Sequence, residues 1–137
     1  LLVSSAASDV YKRQIEDSLV WLCGDGVTIS TKKEKSTLGA PMYTISANMT
    51  PKQTMFSLGR LERVSIEGIL DSGLESRIDE DKYLHLRIDL VALSRGKGEV
   101  TLDRDTMVAK GRFKLEVYPG QSAYEVARSI FEGLISK

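Results

Sequence analysis

The chain has 137 residues, of which 42% are hydrophobic, so it is long enough for one domain with a core of ordinary size. Its 19 Lys and Arg residues balance its 19 Asp and Glu residues, so no overall charge points to nucleic acid or to a membrane surface. Cys23 is the sole cysteine of the sequence, which excludes an intrachain disulfide and a paired-thiol metal site. No apolar run reaches the roughly 18 residues of a membrane span, so we expect a soluble intracellular protein.

The first fourteen residues differ in kind from the rest of the chain. The stretch Leu1 to Gln14, above all its end from Asp9 to Gln14, resembles the in-frame translation of a sequencing-library adapter joined to a contig. We therefore predict that 1–14 is an artefactual tail and that 15–137 is a single domain. The alternative is an authentic N-terminal tail with a start rich in Ser and Ala.

The first predicted element is a β-hairpin near the amino end. Ser18 to Cys23 and Val27 to Ser30 flank the run Gly24 to Gly26, whose glycines can take positive φ at a tight reversal. The polar and basic stretch that follows, Thr31 to Pro41, is typical of a loop. A short strand is then predicted from Met42 to Ala47.

The segment after Thr50 is compatible with a helix or with a loop. Thr50 is followed three residues later by Gln53, with Pro51 at the first helical position, which is a helix-start signature. The next apolar residues stand at i, i+3 and i+6: Met55, Leu58 and Leu61. This spacing favours a helix over 51–59, whereas the alternative places Pro51 in a loop between strands.

Three stretches alternate apolar and polar side chains with a period of two, as strands with one buried and one polar face do. The longest is Tyr83 to Leu93, and the others are Arg63 to Leu70 and Arg112 to Tyr118. Ser94 to Gly98 contains two glycines and no apolar residue, which predicts a turn. A weaker strand is predicted from Glu99 to Val108.

The carboxyl end of the chain carries a clear helix signature. Ser122 and Glu125 form a capping box, and the apolar residues after it fall at i, i+3, i+4 and i+7: Ala127, Ile130, Phe131 and Leu134. An amphipathic helix is therefore predicted from Ala123 to about Ser136. The predicted fold class is α+β, an antiparallel β-sheet with an N-terminal hairpin and a C-terminal amphipathic helix.

The residue chemistry gives no support for catalysis. His85 is the sole histidine of the sequence, and Cys23 belongs to a hydrophobic stretch, so neither a Ser-His-Asp nor a Cys-His arrangement is indicated. The run Gly96 to Gly98 lacks the spacing of a phosphate loop, and Asp79 to Asp81 lacks the spacing of metal ligands. The sequence predicts a protein that is not an enzyme and needs no metal and no cofactor.

The polar faces of the three alternating strands carry the candidate binding residues. If these strands are neighbours, the following side chains project the same way: Arg63, Ser65, Tyr83, His85, Arg87, Arg112 and Lys114. Basic side chains can hold phosphates while an aromatic ring meets an unpaired base, which is how sheet surfaces recognise RNA. The alternative is an ordinary mixed-charge surface, because Glu67, Asp89 and Glu116 share the same face.

The order of the predicted elements resembles that of the coat proteins of single-stranded RNA bacteriophages. The likeness is best in Asp81 to Leu90 and in Arg112 to Val117, running on to Ala123 to Ile135. It implies a homodimer that assembles into a shell and is located in the virion or the host cytoplasm. By strand parity it implies these RNA-binding positions: Arg63, Ser65, Lys82, His85, Arg87, Arg112 and Lys114. It also implies helix packing in the dimer through Ala127, Ile130, Phe131 and Leu134.

Two features depart from the coat-protein pattern and keep other classes open. The second C-terminal helix of such a coat is absent, and the helix signature at Thr50 falls where that family has strand or loop. If 51–59 is helical, the order βαβββα looks like a small ribosome- or RNA-associated binding module. A protein-binding adaptor that uses its helix is a third class. The leading expectation is a non-enzymatic coat subunit with RNA as its partner and no membrane contact.

Overall fold

The computed structural model describes residues 2–7, 12–24, 26–35, 41–101 and 108–136 of the chain. Its strands are antiparallel and its longest helix is the last one, which confirms the predicted α+β class. The strands are β1 (Leu2–Ala7), β2 (Thr28–Lys35), β3 (Pro41–Asn48), β4 (Tyr83–Asp89) and β5 (Val108–Lys114). The helices are α1 (Lys12–Cys23), α2 (Pro51–Gly59), α3 (Arg63–Asp71), α4 (Leu90–Ser94) and α5 (Ala123–Ile135), with a 3₁₀ turn at Glu75–Arg77.

The described strands form one sheet in the order β2-β3-β1-β5-β4, with β1 at its centre. Leu2 of β1 is paired with Asn48 of β3 on one side and with Arg112 of β5 on the other. The hydrogen bonds of β1 therefore join the β2–β3 pair to the β4–β5 pair. The prediction that 1–14 is adapter-derived concerns the origin of these residues, and their placement in the sheet does not test it.

The helices pack on one face of the sheet and share a single core with it. Leu84, Leu86 and Ile88 of β4 are each at most 2% exposed, which confirms the predicted alternation along this strand. They belong to the same cluster as Leu19 of α1 and Phe131 of α5, both fully buried. Because side chains alternate along a strand, the residues between them must face the other side of the sheet.

The predicted hairpin around Gly24 to Gly26 is wrong, because the residues before it form α1. Its buried residues fall at helical spacing: Ile15, Ser18, Leu19 and Leu22. The hairpin prediction began at Ser18 and did not use Ile15, so the period of 3.6 was missed. A hairpin is present one element later, where β2 and β3 pair along their whole length. Cys23 is buried as predicted, and its burial raises the pKa of the thiol to about 11.

The predicted strand from Arg63 to Leu70 is also wrong, because this segment forms α3. Ile66 and Ile69 are buried on one side of the helix, whereas Val64 is 80% exposed. The alternation of Val64 and Ile66 with polar residues suggested a strand. The buried residues Ile66 and Ile69 are instead three positions apart, which is the spacing of one side of a helix. The order βαβββα is therefore not observed, since α3 stands where its second strand was expected.

The long strand predicted from Tyr83 to Leu93 ends early, at Asp89. The Asp89 carboxylate accepts hydrogen bonds from the backbone N–H groups of Val91 and Ala92 at 2.9 and 3.1 Å. A side chain that satisfies these two donors starts a helix, and α4 begins at Leu90. Likewise β5 ends at Lys114, short of the predicted Tyr118.

The two predicted helix starts are confirmed. Thr50 Oγ1 accepts from the Gln53 N–H at 3.2 Å, and Gln53 Oε1 accepts from the Thr50 N–H at 2.9 Å, which completes the capping box of α2. Ser122 Oγ accepts from the Glu125 N–H at 3.1 Å at the start of α5. The ambiguity over 51–59 is thus resolved as a helix.

The remaining predictions concern loops and short strands. The strand from Met42 to Ala47 lies within β3, and the turn from Ser94 to Gly98 is present, with Gly96 at φ 76°. The predicted loop from Thr31 to Pro41 is extended strand up to residue 35, and its remainder from 36 to 40 lies outside the described residues. Of the weak strand from Glu99 to Val108, Val100 pairs with Ile88, and 102–107 lies outside the described residues.

Alanine is expected to have opposite effects at two glycines, Gly68 within α3 and Gly98, which lies close to the backbone before α3. Gly68 lies within α3, and an added Cβ would meet nothing within 4 Å, so Gly68→Ala is expected to stabilise the protein by about 0.5–1 kcal/mol. At Gly98 the Cβ would lie 2.6 Å from the Arg60 carbonyl oxygen, so Gly98→Ala is expected to destabilise it by about 1–3 kcal/mol. Urea unfolding of both variants measures the two effects. A destabilising Gly68→Ala would contradict the helix.

Candidate nucleic-acid interface

Three opposed residue pairs of β4 and β5 lie together on the face of the sheet that points away from the helices, next to a fourth pair, Asp89 with Val108. Residues directly opposite on neighbouring antiparallel strands project to the same side. The pairs are Tyr83 with Lys114, His85 with Arg112, and Arg87 with Lys110. We call these six residues the basic face. His85 and the three β5 residues are exposed, and Tyr83 and Arg87 are half-buried.

The opposite side of β5 explains how this strand is held in place. Ala109, Gly111 and Phe113 are buried against the helices. A Cβ at Gly111 would come within 2.7 Å of the Phe113 ring. The ring therefore occupies the space that a side chain at position 111 would need, and glycine leaves this space free. This packing sets the register that brings Lys110 and Arg112 opposite the polar residues of β4.

An aromatic ring and a guanidinium are stacked in the basic face. The guanidinium carbon of Arg112 lies 3.8 Å from the centre of the Tyr83 ring, and Lys114 Nζ lies 5.9 Å from it. The negative face of the ring attracts both cations. The stack orders the long Arg112 side chain on the surface of the sheet, and arginine planes in this position can stack on unpaired bases.

The turn that leads into β4 is organised by Asp79. Its Oδ1 accepts from the backbone N–H groups of Asp81 and Tyr83, each at 3.0 Å, and its Oδ2 lies 2.6 Å from Nε2 of His85. The hydrogen bond from His85, followed by that from Tyr83, holds the pKa of Asp79 below its usual range. The same turn places Lys82 at φ 67°, in the left-handed region.

The basic face concentrates positive charge. Arg87, Lys110, Arg112 and Lys114 all carry permanent positive charges at neutral pH. Among the described residues, no carboxylate lies within ion-pair distance of any of these four. Two nearby carboxylates have other partners, since Asp79 is bound to His85 and Asp89 caps α4, whereas Glu80, Asp81 and Glu116 line an open cleft beside Lys114. Glu67, counted earlier on this face, lies on α3 and pairs with Arg63 at 2.9 Å.

The structure brings together four of the seven positions that the sequence selected for RNA binding: His85, Arg87, Arg112 and Lys114. Lys82 stands one residue before β4, beside this group. Arg63 and Ser65 do not belong to it, because both lie on α3 in the helical layer, where Ser65 Oγ accepts from the Val100 N–H at 3.1 Å. Their assignment to the sheet face depended on the strand that is not formed.

Lys110 is the residue of the basic face that sequence reasoning missed. The alternation that marks Arg112 and Lys114 continues back through Gly111 and Ala109. These two residues are too small to give a clear apolar signal, so the start of the strand was placed at Arg112. Continuing the period of two past Gly111 would have identified Lys110.

The residues selected for helix packing in a dimer divide into two kinds. Ala127 and Phe131 are fully buried in the core of this chain. Ile130 and Leu134 are half-buried and pack at its margin. The homodimer itself stays a prediction.

A concave feature lies in the helical layer, between α2 and α5. This cleft has a volume of about 580 Å³, is mainly apolar, and is lined among others by Met55, Leu58, Phe113 and Ile130. It has no converging set of polar groups comparable with the basic face.

Within the described ranges, no group of three or more His, Cys, Asp or Glu side chains is placed to hold a metal ion. No helix in that part of the chain has both the length and the apolar character of a membrane span.

Three solved structures that are similar to this chain come from archaea. A DUF54 protein from Methanothermobacter thermautotrophicus superposes with a TM-score of 0.74 at 19% identity, covering 97% of this chain and 94% of that one. A DUF54 protein from Archaeglobus fulgidus gives 0.71 at 24% identity, covering 97% and 96%. A DUF54 protein from Sulfolobus solfataricus gives 0.71 at 12% identity, covering 98% and 96%. No protein-family model and no curated protein sequence matches the chain.

These likenesses overturn the coat-protein resemblance. These three structures share the fold across nearly the whole chain and are archaeal proteins, not phage coats, so the expected capsid function and virion localisation are wrong. The physical reason lies in α1 and α3, which were expected to be strands. Because these two segments are helices, one face of the sheet is covered by helices of the same chain, whereas the coat-protein resemblance implied helix packing between the subunits of a dimer. At these identities the likeness establishes the fold alone.

The lowered pKa of Asp79 predicts a pH-dependent loss of stability. A carboxylate whose pKa is lower in the folded than in the unfolded chain stabilises the fold above its ordinary pKa, and this contribution disappears as the pH falls through the folded value. Asp79→Asn, which cannot ionise, should therefore melt below the wild type at pH 7. The gap should close below about pH 4. Thermal melts from pH 7 to pH 3 measure it, and a gap that stays constant over this range would contradict the role of the charge.

Proposed function

We propose that this protein is a non-catalytic RNA-binding module whose basic face holds the phosphates of the RNA. The observation that carries the proposal is the direct opposition of like charges on an open sheet. Arg87 faces Lys110 across the β4–β5 pair, and Lys114 lies two residues beyond Arg112 on the same side. Like charges directly opposite one another on a sheet destabilise it. An anionic ligand between them would remove this repulsion.

The position of the basic face suits a polymer better than a small anion. The four permanent cations lie on a surface and not in a closed pocket, and three of them are exposed. Phosphates spaced along a flexible backbone can each meet one of these charges. The stacked Tyr83 and Arg112 add a flat surface on which an unpaired base could lie.

The chemistry of the site favours binding over catalysis. His85, whose residue type serves most often in general acid–base chemistry, is bound to Asp79 on the open surface. General acid–base catalysis needs such a group within hydrogen-bond reach of a reacting atom in a site that positions the substrate. The basic face has charges and a stacking surface, and the open cleft at its Lys114 end is not lined by His85.

The proposal predicts that Lys110→Ala with Lys114→Ala weakens RNA binding by roughly ten-fold without lowering the melting temperature. Both side chains are exposed, so their removal should leave the core intact. The slope of log K against log salt should fall by about 1.4, since each phosphate contact on a single strand contributes about 0.7. Fluorescence anisotropy with a single-stranded RNA at several salt concentrations measures both quantities.

The matched control is Lys52→Ala with Arg63→Ala, which removes the same charge from exposed positions on α2 and α3. This pair should leave both affinity and salt slope near those of the wild type. If the two double variants weaken binding equally, the RNA is held by net charge alone and the basic face is not the binding site.

A further inference from the structure

The half of the open sheet face formed by β2 and β3 differs in chemistry from the basic face. Two directly opposed pairs point away from the helices: Thr28 with Asn48 and Ser30 with Ser46. The other side of these strands meets the helical layer, where Thr31 donates its hydroxyl to Glu16 of α1 at 2.7 Å and Ile45 is fully buried. The outward side therefore carries neutral hydroxyl and amide groups, with Lys32 at its far end. We call Thr28, Ser30, Ser46 and Asn48 the hydroxyl–amide face.

The register aligns this face with the basic face in two rows across all five strands. One row runs through positions 28, 48, 2, 112 and 85, and the other through positions 30, 46, 4, 110 and 87. Five strands at about 4.8 Å spacing make each row about 19 Å long. Each row therefore begins at neutral polar side chains on β2 and β3 and reaches the basic face, through Arg112 in one row and through Lys110 and Arg87 in the other.

The hydroxyl–amide face has hydrogen-bonding capacity that the fold does not use. Thr28, Ser30 and Asn48 are exposed and Ser46 is half-buried. No other residue in the described ranges hydrogen-bonds to the side chains of Ser30, Ser46 or Asn48. Hydroxyl and amide groups can each donate and accept, which is also the property of a ribose 2′-hydroxyl.

We propose that the hydroxyl–amide face binds the ribose 2′-hydroxyls and base edges of a single-stranded RNA, so that the protein prefers RNA to DNA. This inference rests on the proposed function, since it assumes that the phosphates lie on the basic face. Neutral side chains add little attraction for phosphate, so this half of the sheet contributes through hydrogen bonds. DNA offers no 2′-hydroxyl to these groups. Single-stranded RNA leaves both its sugars and its base edges accessible to a sheet surface.

The test compares a single-stranded RNA with the DNA of the same sequence, using the full chain at one salt concentration. The wild type is expected to bind the RNA roughly ten-fold more tightly, the difference that two or three hydrogen bonds provide. The triple variant Ser30→Ala, Ser46→Ala and Asn48→Ala should lose most of this preference, because RNA binding should weaken more than DNA binding does. A 2′-O-methyl RNA, which loses the hydroxyl donor but keeps an acceptor oxygen, should bind the wild type more weakly than the unmodified RNA, and this arm needs no variant.

The basic-face variant Lys110→Ala with Lys114→Ala is the matched control, because it should weaken RNA and DNA in parallel and keep their ratio. Equal affinity of the wild type for RNA and DNA would overturn the inference and leave the proposed function standing. A triple variant that is folded by its melting curve and keeps the wild-type preference would overturn it as well. Absence of binding to either polymer would reject the proposed function, and this inference with it.

Discussion

The one-sided burial of the antiparallel sheet is the constraint on which the rest of this structure depends. Leu84, Leu86 and Ile88 are held against the helices, and a strand cannot turn three residues to one side without turning their neighbours to the other. His85 and Arg87 thus face the open side of the sheet as a direct result of core packing, His85 exposed and Arg87 half-buried. A slip of one residue in register would bury these polar groups, so the hydrophobic core also fixes the geometry of the basic face.

The charge on the basic face is tolerated because it is exposed. Two unit charges about 4 Å apart repel by only about 1 kcal/mol in bulk water, a cost that a core of this size can offset. The Tyr83 ring and the Asp79 turn reduce the repulsion locally, one by stacking with Arg112 and the other by binding His85. Each of these contacts also restricts a side chain that would otherwise be mobile, so the surface is ordered before any anion arrives.

The likeness to the archaeal DUF54 structures separates the question of fold from that of function. Identities of 12–24% across nearly the whole chain are enough for the same arrangement of strands and helices. A fold can serve many functions, so the side chains on the open face carry the functional argument here. Their chemistry differs between its two halves, with cations on β4–β5 and neutral hydroxyl and amide groups on β2–β3.

The sequence by itself determined those helices and strands that are specified by interactions between residues close together in the chain. The capping box at Thr50, the N-cap at Ser122, the alternation along Tyr83 to Asp89 and the apolar spacing of α5 could all be recognised without coordinates. Short apolar runs could not be assigned this way, because a few residues fit a period of 2 and one of 3.6 equally well, and α3 was mistaken for a strand. The basic face needed the tertiary structure, since long-range strand pairing alone places Arg87 opposite Lys110 and moves Arg63 to the helical layer.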